Sequence, residues 1–304
     1  MANAIISTGS HPKALWPGIH EWWGRSYDEH GEQCRELFDF RDSTMAYEED
    51  VEATGFGLAG VKSEGQSINF VAEQQGTVTR YTHIAYALGY IVTREELDDN
   101  LYETVSMRRA EANAFSMRTT RETIAANIYN RAFNSSYTFG DGKEILATDH
   151  PTLSGNQSNE LSTAADLSET SLEDLVIQIM NVQNSKGLRI ALKAQSLVVA
   201  PGNFFNANRI LTSSLQNDTA NNAVNVLRQS GMFSNGIVVN NYLTDADAWF
   251  VRTNAPAGMK LFDRVPIEFN QDNDFDTQNA KAASYMRFSV GVSDWRALFG
   301  SPGA

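Results

Sequence analysis

Three groups of residues in this chain have the types and spacing of a chemical site. Gly55, Gly57 and Gly60 spell G-x-G-x-x-G, the pattern that lets a helix N-terminus approach a dinucleotide pyrophosphate. That chemistry needs a strand before the glycines and a helix after them, and here they lead into Lys62, Ser63, Glu64 and Gly65, a turn. Glycines that let a ribbon bend, or lie close to another backbone, account for the pattern better. Asp272, Asp274 and Asp276 begin like a calcium loop, yet Thr277 stands where a glycine should turn the chain and Ala283 where the final glutamate belongs. A solvated acidic turn between two strands is the preferred reading, with a weak cation site as its alternative. His11, His20, His30, His83 and His150 offer no i, i+4 pair and no companion cysteines. Cys34, the sole cysteine, lies among Glu32, Arg35 and Glu36 and reads as an ordinary thiol. No serine occupies a G-x-S-x-G elbow. These patterns give no catalytic residue, and neither a cofactor nor a metal is expected.

The elements around these residues say more. The 304 residues carry 24 basic and 37 acidic side chains, a net charge of −13, which repels nucleic acid instead of gripping it. DNA near such a protein is enclosed, not bound in a sequence-specific way. A chain of this length buries roughly three quarters of its unfolded surface, and one cysteine excludes an intrachain disulfide. The longest mostly apolar run, 83–92, is about half of what a bilayer helix needs, and no secretory core follows Met1, so a soluble, cytosolic chain with no membrane partner is expected.

Residues 1–51 hold Trp16, Trp22 and Trp23 in an irregular context, either an arm that docks on another molecule or a leader folded back on its own core. Residues 52–93 are punctuated by glycine and read as an extended hairpin with strands at 67–72 and 77–83, too thin to be stable alone. Thr93 and Glu96 form a capping box. No proline or glycine then intervenes until about Phe133, which predicts on the order of 60 Å of helix, with Leu97, Leu101 and Val105 on one stripe and Ile124, Ile128 and Ala132 on another. Its late arginines, Arg108, Arg109, Arg118, Arg121 and Arg131, complement the helix dipole.

After a polar loop at 141–162, Thr170 and Glu173 make a second capping box, and Leu172, Leu175, Val176 and Ile179 predict a helix ending at Lys186 and Gly187. Residues 196–200 read as a buried strand, and Asn203 as the cap of a helix to about Leu211. Met259, Leu261, Val265, Ile267 and Phe269, then Met286, Phe288, Val290 and Val292, alternate as long strands.

This order of elements, an α+β arrangement, resembles the Hong Kong 97-type fold of the major capsid proteins of tailed bacteriophages. Asp141, Gly142, Leu146, His150 and Pro151 resemble the D-G…L…H-P loop of a Mu-like and related subgroup. Leu167, Ser168, Ser171 and Leu172, followed by 196–201, resemble the helix start and buried strand that come next. Arg287, Phe288, Gly291, Asp294, Trp295 and Arg296 resemble the closing strand. The resemblance spans roughly 52–300.

The resemblance implies an N-terminal arm at 1–51, an E-loop hairpin at 52–92 and a peripheral domain with its spine helix at 93–166. It implies an axial domain at 167–251 and strands returning to the peripheral domain at 252–304. The function implied is a structural head protein assembling into hexamers and pentamers of an icosahedral shell around double-stranded DNA, in the virion, after assembly in the bacterial host cytoplasm. The partners implied are other copies of itself, a portal and, in some systems, a decoration protein. No long scaffolding extension precedes the arm, so with a native Met1 a separate scaffolding protein is expected. Residues expected at contacts between subunits are Trp16, Trp22, Trp23, Lys62, Glu64, Gln66, Phe70 and Arg80. Some members join an E-loop lysine to a neighbour's asparagine, and Lys62 is the only lysine of this hairpin; the sequence places neither the asparagine nor a catalytic glutamate. Two rivals stand beside this reading: an encapsulin-like compartment, and a metal-dependent hydrolase using Asp272, Asp274, Asp276 and His150.

Overall fold

A computed structural model describes residues 16–98, 107–216, 223–274 and 278–304. In chain order the helices are α1 (Trp16–Glu29), α2 (Cys34–Leu37), α3 (Arg94–Asp98), α4 (Met107–Asn130), α5 (Glu169–Asn181), α6 (Phe204–Thr212) and α7 (Val226–Ser230). The strands are β1 (Asp39–Asp42), β2 (Tyr47–Ala53), β3 (Gln75–Thr82), β4 (Ile84–Val92), β5 (Ala194–Val199), β6 (Gly236–Val239), β7 (Trp249–Thr253), β8 (Met259–Asn273), β9 (Ala280–Val292) and β10 (Leu298–Ser301). Among the described residues one sheet has the order β1-β8-β9-β4, a second the order β10-β7-β5-β6, and β2 and β3 make a two-stranded ribbon. Among the described residues no helix is long and apolar enough to cross a membrane.

The period-two reading of the long strands holds because both bury one face on α4. Met259, Leu261 and Phe269 of β8 and Met286, Phe288 and Val292 of β9 are buried in a single cluster, with Val265 and Ile267 at a place where register shifts interrupt the ladder. The second sheet buries its own cluster with α5: Leu172, Leu175, Val176 and Ile179 pack with Leu197, Val199, Trp249 and Val251. The terminal strands divide between the sheets. β8 and β9 join the first, whereas β10 pairs antiparallel with β7 in the second, so the expected return of 252–304 to one block stops before Leu298.

Several local expectations are corrected. Strand pairing places the ribbon between β2 and β3, with Tyr47 opposite Thr82 and Val51 opposite Val78, so it begins ahead of 52. Residues 67–72 are irregular, and β4 belongs to the first sheet opposite β9. Of the expected long helix, α3 and α4 are described, and residues 99–106 between them lie outside the described residues. The side chain of Leu97 and residues Leu101 and Val105 lie outside the described residues, as does Asp276. At 24 residues, α4 is about 36 Å long.

The cap of α5 is Ser168, not Thr170. The Ser168 hydroxyl accepts from the Ser171 amide at 3.2 Å and its amide donates to Ser171 Oγ at 2.9 Å. The helix stops at Asn181 because Asn184 Oδ1 closes a turn on the amides of Lys186 and Leu188. Asn203 occupies the N-cap of α6 but makes no side-chain cap bond; its side-chain amide donates to the Ala246 carbonyl at 2.7 Å. Thr93 Oγ1 accepts from the Glu96 amide at 3.4 Å, but the Glu96 carboxylate pairs with Arg109 at 2.9 Å instead of returning to Thr93.

The arginines of α4 are not placed to complement its dipole, since its last turn holds no basic residue and Arg108 and Arg109 stand in its first; two of them make ties to other elements instead. Arg118 is buried, bonded to Glu32 at 2.6 Å and to the Tyr27 carbonyl, with its guanidinium 3.9 Å over the Tyr27 ring. Arg121 is buried against Asp263 at 2.7 Å. These pairs fasten the leader and β8 onto α4. Of the two readings of the tryptophan-rich leader, the described part follows the second. α1 packs on α4, and Trp23, 4% exposed, stacks between Tyr27 and Phe269 at 5.3 and 5.1 Å while its indole N–H reaches Asn113 at 3.0 Å.

Candidate assembly surface

The D-G…H-P loop is a buried clamp. Gly142 takes φ +81°, a left-handed turn that glycine adopts without steric cost, and the turn brings Asp141 within 2.7 Å of His150 Nδ1. His150 Nε2 lies 3.0 Å from Asn159 Oδ1. The Asn159 amide nitrogen donates to the carbonyls of Ile145, Trp295 and Leu298, which fixes the oxygen as the acceptor, so Nε2 donates. The Trp295 ring stacks on His150 at 4.7 Å with an interplanar angle of 1°. A fully buried imidazole with both nitrogens engaged is a strut between the loop and the terminal segment. It is unavailable to the hydrolase constellation, in which Asp274 also pairs elsewhere, with Lys281 at 2.6 Å. Among the described residues no group of three or more His, Cys, Asp and Glu converges to hold a metal. Cys34 is fully buried, and burial, then the neighbouring Glu122 carboxylate, pushes its thiol far above the ordinary range, which suits a packing residue and not a nucleophile.

The ribbon has the opposite character. Its irregular middle, 54–74, is exposed along nearly its whole length. Thr54 closes the neck by bonding the Gln74 carbonyl at 2.6 Å. Beyond it Leu58 is 86% exposed, Val61 99% and Phe70 90%, with Phe56, Ile68 and Val71 also largely open. Burying a side chain of this kind gains about 1.5–3 kcal/mol, so a run of them left in water is a surface awaiting a partner. The glycines of the G-x-G-x-x-G pattern fall in this segment, Gly55 at φ +66°, and no helix follows them.

The expected contact residues divide sharply. Lys62, Glu64, Gln66 and Phe70 stand on the exposed middle. Arg80 lies on the ribbon's outward face, stacked 3.8 Å over the Tyr47 ring. Trp22 is half-buried, donating to Glu111 at 2.9 Å beneath the Arg25 guanidinium. Trp23 is committed to its own chain and leaves nothing for a neighbour. Trp16 begins α1, and its side chain lies outside what is described.

A sequence profile described as phage capsid protein matches residues 76–300. The chain belongs to that capsid family. No curated protein sequence matches it. Among solved structures, a virus-like particle from Pyrococcus furiosus is similar over 94% of this capsid protein and 98% of its own chain, at 11% identity and a TM-score of 0.56. The capsid of an empty GTA particle is similar over 90% and 91%, at 10% identity and 0.57. Microbacterium phage Oxtober96 is similar over 90% and 92%, at 9% identity and 0.52. The capsid protein therefore has the Hong Kong 97-type fold and is a structural major capsid protein, a component of the virion shell.

The root of the ribbon carries residues that sequence reading missed. β2 alternates, with Glu48, Asp50 and Glu52 turned inward and Tyr47, Glu49, Val51 and Ala53 outward. Glu48 accepts from Ser43 at 2.6 Å, Asp50 pairs with Lys260, and Glu52 accepts from Ser185 at 2.5 Å and Arg296 at 3.1 Å. On β3 the Tyr81 ring packs edge-on to Phe262 at 5.0 Å and its hydroxyl bonds Ser293. A Cβ on Gly291 would come within 2.8 Å of that ring, so glycine is required where Tyr81 lies down on β9. The signal was present in the sequence as acids at every second residue, 48, 50 and 52.

Proposed function

We propose that this capsid protein assembles into hexamers and pentamers of an icosahedral head enclosing double-stranded DNA, with the 54–74 segment of each copy laid across a neighbour. One observation carries the reading: a segment of about twenty residues holds Phe56, Leu58, Val61, Ile68, Phe70 and Val71 out in solvent, with Val61, Phe70 and Leu58 the most exposed large apolar side chains among the described residues. A shell whose one chain fills non-identical positions needs a compliant extension on a rigid body. Many weak copies of that contact then act together. In this reading 47–82 is the E-loop region, 93–166 and 254–297 belong with the first sheet to the peripheral domain, and 167–253 with β10 form the axial domain, whose exposed Phe205, Leu215, Val224 and Val226 meet at capsomer centres. The net charge of −13 suits a container in which DNA must move. The protein acts without catalysis, is assembled in the host cytoplasm, and works with a separate scaffold and a portal.

Electron microscopy of the chain expressed alone and with its scaffold tests this. Closed shells in either preparation are the expected result, and 33.6 kDa monomers in both contradict it. The likeness to a virus-like particle over 94% of the chain supports a second reading, a protein-filled compartment of the encapsulin kind. Particles carrying protein cargo in place of DNA would favour it.

A further inference from the structure

An ordinary surface strand turns its apolar residues inward. β2 turns its acids inward, and each is met by hydroxyls or cations. Glu48 is met by Ser43, with His83 behind it and Arg287 and Arg264 beyond. Asp50 faces Lys260 on β8, Arg41 on β1 and the hydroxyls of Ser293 and Tyr81. Glu52 faces Ser185, Thr77 and Arg296, the last also paired with Asp294 at 3.1 Å. These contacts reach three parts of the body: β8, the turn at 183–185 and the terminal segment.

The ribbon also has a pivot. β3 ends at Thr82 and β4 begins at Ile84, and the two strands lie in different sheets. His83 alone carries the change. Its buried ring is held by Ser43 at 3.1 Å and by Ser289 at 2.9 Å.

We propose that the acidic underside of the ribbon is a releasable latch: while Asp50 and Glu52 are charged they hold the ribbon on the body, and once neutralised they let it turn about His83 with both sheets still folded. The latch concerns the ribbon's hold on its own chain, so it stands whatever the outer face meets.

Apolar docking would be indifferent to protons, whereas Asp50, Glu52 and His83 each respond to acid in the direction of release. Burial opposes the charged forms of Glu52 and Asp50. The Ser185 hydroxyl and Arg296 outweigh it at Glu52, and Lys260 and Ser293 outweigh it at Asp50, so both carboxyls titrate below their ordinary values. In a released ribbon they would titrate at about 4. Protons therefore bind the released state better, and the hold weakens as pH falls through that range. Burial, then Arg287, lowers the pKa of His83 in the latched state, while a free imidazole takes its proton near pH ~6.5. Acid below that value favours release at the pivot as well.

Hydrogen-exchange mass spectrometry of the unassembled full-length chain at pH 7.5, 5.5, 4.0 and 2.5, corrected for intrinsic rates, tests the latch. The two depressed carboxyls lose no more than about a factor of two each at pH 4.0, so amides of β2 and β3 should lose protection by about tenfold or more by pH 2.5, the scale of one charged hydrogen bond, while β5 and β7 keep theirs. Asp50→Asn with Glu52→Gln should show the same loss at pH 7.5. Unchanged ribbon protection at pH 2.5, loss shared equally by β5 and β7, or wild-type protection in the double variant would each overturn the proposal. If the double variant fails to fold, the wild-type pH series decides alone. Shell formation is a separate readout, so failure of the latch is distinguishable from failure of the assembly reading.

Discussion

Asn159→Ala should destabilise the chain by about 3–5 kcal/mol and lower its Tm by several degrees. Asn159 is fully buried. Its oxygen accepts from the Ala147 amide at 2.9 Å and from His150 at 3.0 Å, and its nitrogen serves three carbonyls from two distant stretches of the chain, Ile145 in the loop and Trp295 and Leu298 in the terminal segment. Truncation leaves two buried donors unmatched, each costing about 1–3 kcal/mol, and opens a small cavity under the Trp295–His150 stack. Asn181→Ala, which removes only an exposed bond to the Ile177 carbonyl within its own helix, should change stability by less than about 0.5 kcal/mol. Equal effects of the two substitutions in thermal denaturation would show that the clamp does not bind the loop to the terminal segment.

Replacing Leu58, Val61 and Phe70 together by serine should leave the Tm of the unassembled chain within about 2 °C of wild type and yet prevent shell formation. All three side chains are almost fully exposed, and changes at such positions usually shift stability by no more than about 0.5 kcal/mol each. At an interface the same side chains are worth about 1.5–3 kcal/mol apiece, so the contact loses about three to six orders of magnitude in affinity. Sedimentation velocity separates the outcomes. A folded monomer is expected, whereas shells assembled at wild-type concentration would remove the segment from the interface.

The parts of the fold that were legible in the sequence are those where a periodic apolar pattern meets a core. β8 and β9 alternate, and the Leu172–Leu175–Val176–Ile179 stripe of α5 lies on the second cluster. Their ends were less legible because short polar contacts set them. Ser168 out-competes Thr170 for the cap of α5 by two hydrogen bonds with Ser171. The ribbon was misplaced for a different reason. The apolar words at 67–72 look like a strand but have no ladder to join, whereas β2 reads Y-E-E-D-V-E-A, a pattern that resembles a solvated turn until its acids find Lys260, Ser185 and Arg296. The tryptophan leader left two readings open because an aromatic cluster needs an apolar partner without specifying whose; Phe269, about 250 residues downstream, supplies it. Nor does sequence distinguish Asn159 from the other polar residues of its loop, since two of its partners, Trp295 and Leu298, lie about 140 residues downstream.

Replacing Phe70 by a photoreactive phenylalanine analogue, in shells built from a mixture of isotopically light and heavy chains, tests directly whether the exposed ribbon is completed by another copy. Crosslinked peptides joining light to heavy chains are the predicted product. Crosslinks confined to chains of one label, or none at all in intact shells, would contradict the account.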